Sequence, residues 1–371
     1  MNIKRRIAHN ISSIPGWRTK RKIVVIESDD WGSIRMSSKE VLKKLKNSGF
    51  NFDNDAYNRY DSLASEQDLS FLFETLSSVK DKNRNSAKVT ANTIIANPDF
   101  DKIKDSNFNE YHYELFTDTL KKYPAHSRSF DLWKEGMSGN LFHPQYHGRE
   151  HINVNYWMKE IQKNELTKKI IFENKILGLK DLINSNSRNS FMRAMDFNNE
   201  DELRLKENII VEGLSLFKQI FNYSSQSFIA PSYHWDTNIE KVLSENGVKY
   251  LQGIQYQKVP KFGHNEFENK FHYIGQKNDL GQKYLVRNAF FEPTLMNENN
   301  TIYETLKRVN IAFKWGKPAI IGSHRINYIG FIDEKNRDKN LKELKTFLKM
   351  LVDKWPNVEF MSSDQLGNLI N

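Results

Sequence analysis

The 371-residue chain contains no cysteine. Disulfides and thiolate metal ligands are therefore excluded, and any metal must be held by imidazole and carboxylate groups. The same lack fits a reducing compartment without ruling out export. No stretch approaches the ~18 apolar residues that a membrane span needs. Residues 1–22 alternate basic and apolar positions without an uninterrupted apolar core, which argues against a cleaved signal peptide. The expected location is cytoplasmic, with a membrane-peripheral placement as the alternative. There is no internal repeat and no low-complexity linker. Ser28-Asp29-Asp30-Trp31 stands after the first strand where a glycine-rich phosphate cradle would be, so a nucleotide fingerprint is missing. No nucleic-acid motif accompanies the net charge of +9, and nucleic acid is not an expected partner.

What is present is an ordinary globular balance, with 38% hydrophobic and 27% charged residues. Aromatics make up 12%, enough for a core and for a ligand surface that could meet sugar faces. Lys4, Arg5, Arg6, Arg18, Lys20, Arg21 and Lys22 form the one concentration of positive charge. They mark residues 1–20 as a basic N-terminal segment, either solvated or in contact with an anionic membrane surface or acidic glycan.

The remainder, residues 21–371, alternates short apolar runs with amphipathic helices. Lys22–Glu27 reads as a buried parallel strand. Further strands are expected at 88–96, 141–145, 191–197, 227–230, 248–253, 284–287, 318–322 and 358–361. Helices are expected at 39–46, from Ser65, at 110–122, 154–162, 200–221, 301–315 and 339–353. Thr237–Glu240 reads as the cap of another helix, and 253–288 as a long irregular loop. Alternating strands and helices imply a parallel sheet with right-handed crossovers. The fold class is therefore α/β, a distorted (β/α) barrel in one domain with long loop insertions; an open doubly wound sheet is the alternative.

In such folds the active site lies at the carboxyl ends of the strands. Four ends carry chemistry: Asp29-Asp30, the run from His143 to His151, Pro231-Ser-Tyr233-His234-Trp235, and Ser323-His324-Arg325. His147 and His151 lie four apart, which on a helical turn puts both rings within reach of one metal. His143 is a third candidate at the same interval. A carboxylate with two imidazoles suits a divalent metal, Zn²⁺ first, with Mn²⁺, Co²⁺, Ni²⁺ or Fe²⁺ as substitutes.

The ordered motifs resemble those of the NodB-type polysaccharide deacetylase family of carbohydrate esterases. Glu27-Ser28-Asp29-Asp30 matches its first motif. His147-Gly-Arg-Glu-His151 keeps the spacing of the second, with Gly148 in place of Ser or Thr. Ala230-Pro231-Ser232-Tyr233 matches the third but lacks its Arg, for which Arg325, Arg287 or Arg149 could substitute. The region of Arg287, Asn288 and Glu292 corresponds to the fourth, and Ile321-Gly322-Ser323-His324 to the fifth. The resemblance implies a barrel fold and a metal-dependent deacetylase of a glycan or its precursor, with a water on the metal as nucleophile. It makes Asp30, His147 and His151 the metal ligands and Asp29 the general base. His324 becomes the acid that protonates the departing amine, and the Tyr233 backbone N–H stabilises the oxyanion. Trp31, Tyr233, Trp235, Arg287 and Arg325 are the residues expected to meet the carbohydrate.

Three other readings stay open on the residues. A glycosidase would use Asp29 with Glu150 or Glu292. A zinc peptidase would read His147–His151 as H-x-x-E-H with Glu150 as base, which needs an unbroken helix that Gly148 and Pro144 weaken. A non-catalytic carbohydrate-binding protein would account for the missing Arg.

Overall fold

The apolar run that opens the barrel domain extends further than its apolar character. The computed structural model, which describes residues 3–179, 182, 190–264, 266–296 and 300–371, carries the first strand through Trp31, buried at every position after Lys22. Met1 and Asn2 of the basic segment lie outside the described residues. The strands are β1 (Lys22–Trp31), β2 (Val89–Ile94), β3 (Ala96–Pro98), β4 (Tyr113–Leu115), β5 (Phe142–Gly148), β6 (Ser227–Ile229) and β7 (Tyr250–Gly253). They continue with β8 (Tyr256–Val259), β9 (Glu268–Phe271), β10 (Lys283–Val286), β11 (Ala289–Phe290), β12 (Ala319–His324) and β13 (Val358–Met361).

Nine of them form one sheet in the order β10-β7-β6-β5-β2-β1-β12-β11, with β13 paired to the start of β1. Every pairing in this sheet is parallel. β10 and β11 hold its two edges, yet only Arg287 and Asn288 separate them. The Arg287 N–H donates to the Gly253 carbonyl (2.8 Å) and the Asn288 N–H to the Ile320 carbonyl (3.0 Å). One stretch of chain thus bonds to both ends of the sheet, which bends round into a distorted (β/α) barrel.

Several expected elements hold, including the capping box of Ser65 with Asp68 and the helix Glu200–Phe221. Others are corrected. Residues 191–197 form turns, not a strand, because Phe191, Met195 and Phe197 are buried from a loop and lack a ladder partner. Residues 110–122 divide into β4, paired with β3, and a short helix Phe116–Lys121. Asp236, not Thr237, caps the following helix by accepting the Ile239 N–H (3.0 Å). The loop after β7 contains a hairpin, β8–β9. A closing helix, Ser363–Leu369, was not anticipated; it packs against β1 and β7, and its Gly367 lies against the Tyr250 ring.

Candidate metal and acid–base site

The site is assembled at the carboxyl end of β1. Successive strand residues point to opposite faces, so Asp29 and Asp30 would ordinarily diverge. Here the β1–β2 register shifts between Ser28 and Trp31, and Asp30 takes a φ of 74°. This bulge breaks the alternation. Both carboxylates line the same cavity of about 460 Å³, with His147, His151, Tyr57, Tyr233 and His324. A non-glycine residue at positive φ costs roughly 1–3 kcal/mol, a cost met where the surrounding structure enforces it.

The two acids then part company by partner. Asp30 Oδ1 lies 2.9 Å from His151 Nε2 and 3.4 Å from His147 Nε2. All three side chains are buried, and each offers a ligand atom within 4.8 Å of the others. His147 reaches the site from the last turn of β5, not from a helix. Gly148, at φ 145°, occupies backbone space denied to other residues and lets the chain double back so that His151 rejoins the cluster. His147 Nδ1 donates to the Ile229 carbonyl (2.8 Å), which fixes the tautomer and leaves Nε2 with its lone pair toward Asp30. Burial holds His151 below its ordinary pKa despite the Asp30 carboxylate, so it is a neutral ring. Burial opposes ionisation of Asp30, but its carboxyl is held well below the usual range, first by His151. One carboxylate and two imidazoles, each with an atom turned to the same point, form a donor set that fits a divalent cation.

Asp29 is held by a cation of the protein itself. Arg287 grips it with two parallel bonds, Nη1 to Oδ2 at 2.7 Å and Nη2 to Oδ1 at 2.6 Å. Asn92 Nδ2 adds a third bond at 2.7 Å. The Arg287 Nε in turn donates to Glu27 (2.7 Å). Burial alone would raise the Asp29 carboxyl, yet Arg287, and then His324 and His147, hold it down at about 2. Arg287, expected to meet a ligand, stands behind Asp29, fully buried, and does not line the cavity.

Across the cavity, His324 Nε2 is 3.7 Å from Asp29 Oδ2, while its Nδ1 is bound to Glu292 Oε1 at 2.5 Å. Asn327 holds the other Glu292 oxygen (2.6 Å). Burial disfavours a charged ring, but Glu292, joined by Asp29 and Asp30, pushes His324 up to about 10. It is an imidazolium at neutral pH. Tyr57 meets its ring edge-on at 5.6 Å.

Other expectations are overturned. Trp31 is in the core, edge-on to Phe142 and Trp133, with its N–H on Ser28. Trp235 is buried with its N–H on Glu240 (3.0 Å). Arg325 is buried in a bidentate pair with Asp61. None of the three lines the cavity. Tyr233 does, and its hydroxyl accepts from Arg287 (3.0 Å). Its backbone N–H, however, already donates to the Ala230 carbonyl (3.0 Å), so the oxyanion role fails on geometry. His143 lies apart, 3.1 Å from Asp364 and stacked on Tyr223. Glu150 is turned onto Arg149 (2.7 Å) outside the cavity, which with the non-helical backbone removes the peptidase base. Glu292 is engaged by His324 and Asn327 and does not line the cavity, so it is no partner for Asp29 in a glycosidase pair.

Asn92, Glu27, Tyr57 and Arg35 belong to the site and were not anticipated. The first two had a signal, a polar residue inside an otherwise apolar strand. Tyr57 and Arg35 come from loops and a short helix with no periodic pattern to mark them.

No family model and no curated protein matches the sequence. Solved structures that resemble it include a putative polysaccharide deacetylase from Mycobacterium smegmatis (10% identity over 96% of this chain and 92% of that one, TM-score 0.48). They also include a PuuE allantoinase (10% identity, 95% and 93% covered, TM-score 0.49). A third is a probable polysaccharide deacetylase from Pseudomonas aeruginosa (9% identity, 94% and 91% covered, TM-score 0.48). At such identities the likeness is one of overall chain path, and what the chain does has to be argued from its own site.

Proposed function

We propose that the protein is a metal-dependent deacetylase that removes N- or O-acetyl groups from a glycan or glycan precursor. The observation that carries this is the meeting of Asp30, His147 and His151 beside an Arg-held Asp29, with the His324 imidazolium facing them. Asp30, His147 and His151 would hold the ion, and the donor set favours Zn²⁺. A divalent ion supplies Lewis acidity toward a carbonyl and brings water's pKa toward ~7.

The residues of the chain divide the proton work. Asp29, ionised and aimed by Arg287 and Asn92, accepts the proton of the attacking water. His324 carries a proton at Nε2, on the cavity side, and gives it to the departing amine or alkoxide, which leaves poorly without one. Glu292 keeps that ring oriented and charged. Tyr57 and Tyr233 supply aromatic walls of the kind that pack on sugar rings.

Acetate release from N-acetylated and O-acetylated sugars tests the reading, measured after chelation and after reloading with Zn²⁺, Co²⁺ or Mn²⁺. Metal-dependent acetate release supports it. Release of reducing sugar without acetate, or glycan binding with no turnover at any metal, overturns it.

A further inference from the structure

The helix Ile3–Ser12 is turned inside out. A surface helix ordinarily buries its apolar stripe and shows its polar side to water. Here the polar side faces the barrel. Asn10 accepts from the Trp315 indole (2.9 Å), and Ser13 is buried. His9, Ser12 and Ser13 line a cavity of about 270 Å³ together with Arg308, Ile311 and Lys317. Ile7 and Ile11, one helical turn apart and so on one side, are 54% and 60% exposed; Ile14, just beyond, is 47% exposed.

That orientation is fixed by bonds. The Lys317 ammonium donates to the carbonyls of Pro15 (2.7 Å), Gly16 (2.6 Å) and Trp17 (3.0 Å). The Gln255 amide reaches the Ser12 carbonyl (3.5 Å). The helix packs on the helix Thr301–Lys314, and its His9, Ser12 and the following Ser13 share that cavity with Val286, Arg287, Asn288 and Phe290, where β10 passes to β11. Beside it stands the β8–β9 hairpin, whose paired Tyr256 and Phe271 rings (5.5 Å apart) are also exposed, at 52% and 39%.

Charge identifies the occupant of this face. The sequence up to Lys22 holds seven cations, and its first acid is Glu27. Arg21 is engaged by Glu359 (2.6 Å), but Arg18 and Lys20 are exposed. Lys258 stands two places from Tyr256, on the same face of the hairpin. Exposed isoleucines on a short helix, within a segment of one charge sign, are the makings of an interfacial helix lying in an anionic membrane surface. No helix among the described residues is long and apolar enough to cross a membrane, so the contact is along the surface.

We propose that the N-terminal helix and the adjoining hairpin dock this protein on an anionic lipid surface. Ile7, Ile11 and Ile14 enter the headgroup boundary, and the basic residues pair with the headgroups. The proposal is independent of the catalytic reading.

Co-sedimentation of the full chain with phosphatidylcholine vesicles, alone or mixed with phosphatidylglycerol, tests it. Binding is expected on the anionic vesicles, weaker by roughly tenfold on neutral ones and reduced by salt. Ile7→Glu with Ile11→Glu should lower it by roughly tenfold at an unchanged melting temperature, since both side chains are exposed. Lys4→Ser, Arg5→Ser and Arg6→Ser together should lower it on anionic vesicles alone. Absence of binding to anionic vesicles overturns the proposal. So does full retention of binding by the isoleucine variant, which would indicate polyanion attraction only. A wild-type dimer in light scattering that the isoleucine variant dissolves would instead assign the face to a second copy.

Discussion

Asp29 and Asp30 are neighbours in sequence and opposites in environment. Asp29 has its charge matched inside the protein: a bidentate guanidinium, an amide, and a second carboxylate behind to share the Arg. Asp30 faces imidazole nitrogens whose own donors are committed elsewhere or whose rings are neutral. The first arrangement is what the proposed base needs, a carboxylate kept ionised and aimed. The second brings one carboxylate and two ring nitrogens to a single point, which is what a cation requires. The lesson is that a paired-acid motif acquires its two functions from what the fold brings to each side chain, not from the residues themselves.

If the division is right, the two acids fail differently. Asp29→Asn should lower kcat/KM for acetate release by about a thousandfold while leaving bound metal unchanged by elemental analysis. A variant that loses its metal instead would merge the two halves. Asp30→Asn, or His151→Ala, should weaken metal binding at least about a hundredfold, beyond the ten- to hundredfold typical of outer partners. Equilibrium dialysis measures this, and metal retained by both variants would break the comparison from the other side.

The His324 side of the cavity sharpens it. The acid must be protonated, so activity falls as pH rises through its pKa. Glu292 supports the rise to about 10. Glu292→Gln should bring the alkaline limb of the kcat profile down by one unit or more, roughly tenfold in activity at alkaline pH. An unmoved limb would remove His324 from the acid role.

A buried cation remote from the cavity gives the smallest effect. Lys206 donates to the Asn153 amide oxygen (2.7 Å), and burial lowers its pKa to about 8 from an ordinary 10.5. A lowered lysine pKa means that the folded state resists the charge. The cost is present in full below pH 8 and fades as pH rises toward 10.5. Lys206→Met should therefore stabilise the fold at pH 7 by about 1–3 kcal/mol, with the gain disappearing by about pH 10.5. Thermal melts across that range check it. Arg287→Met, which strips the partner from two buried carboxylates, should do the reverse.

The strands and helices were largely legible because burial imposes period on sequence. KIVVIE and PAIIGS are apolar enough to mark strands, and the Ser65 capping box marks a helix start. The 191–197 run reads as a strand in sequence because buried aromatics in a loop imitate one when no partner is visible. Adjacency to a motif points Trp31, Trp235 and Arg325 to the rim, yet it says nothing about which face a side chain takes, and all three are buried away from the cavity. The Asp30 bulge turns one face of β1, and each later neighbour follows from it.

By itself the sequence determined the chemical inventory: no thiol, a doublet of acids after the first strand, two imidazoles four apart, a third far downstream, and a basic first segment. Only the tertiary structure decided that Arg287 serves Asp29 across 258 positions and that Glu292 charges His324. It alone turned the isoleucines of the first helix outward. The reason is physical. Periodicity reports whether a residue is buried within its own element, whereas partnership depends on register and closure, which a parallel barrel sets between strands far apart in the chain.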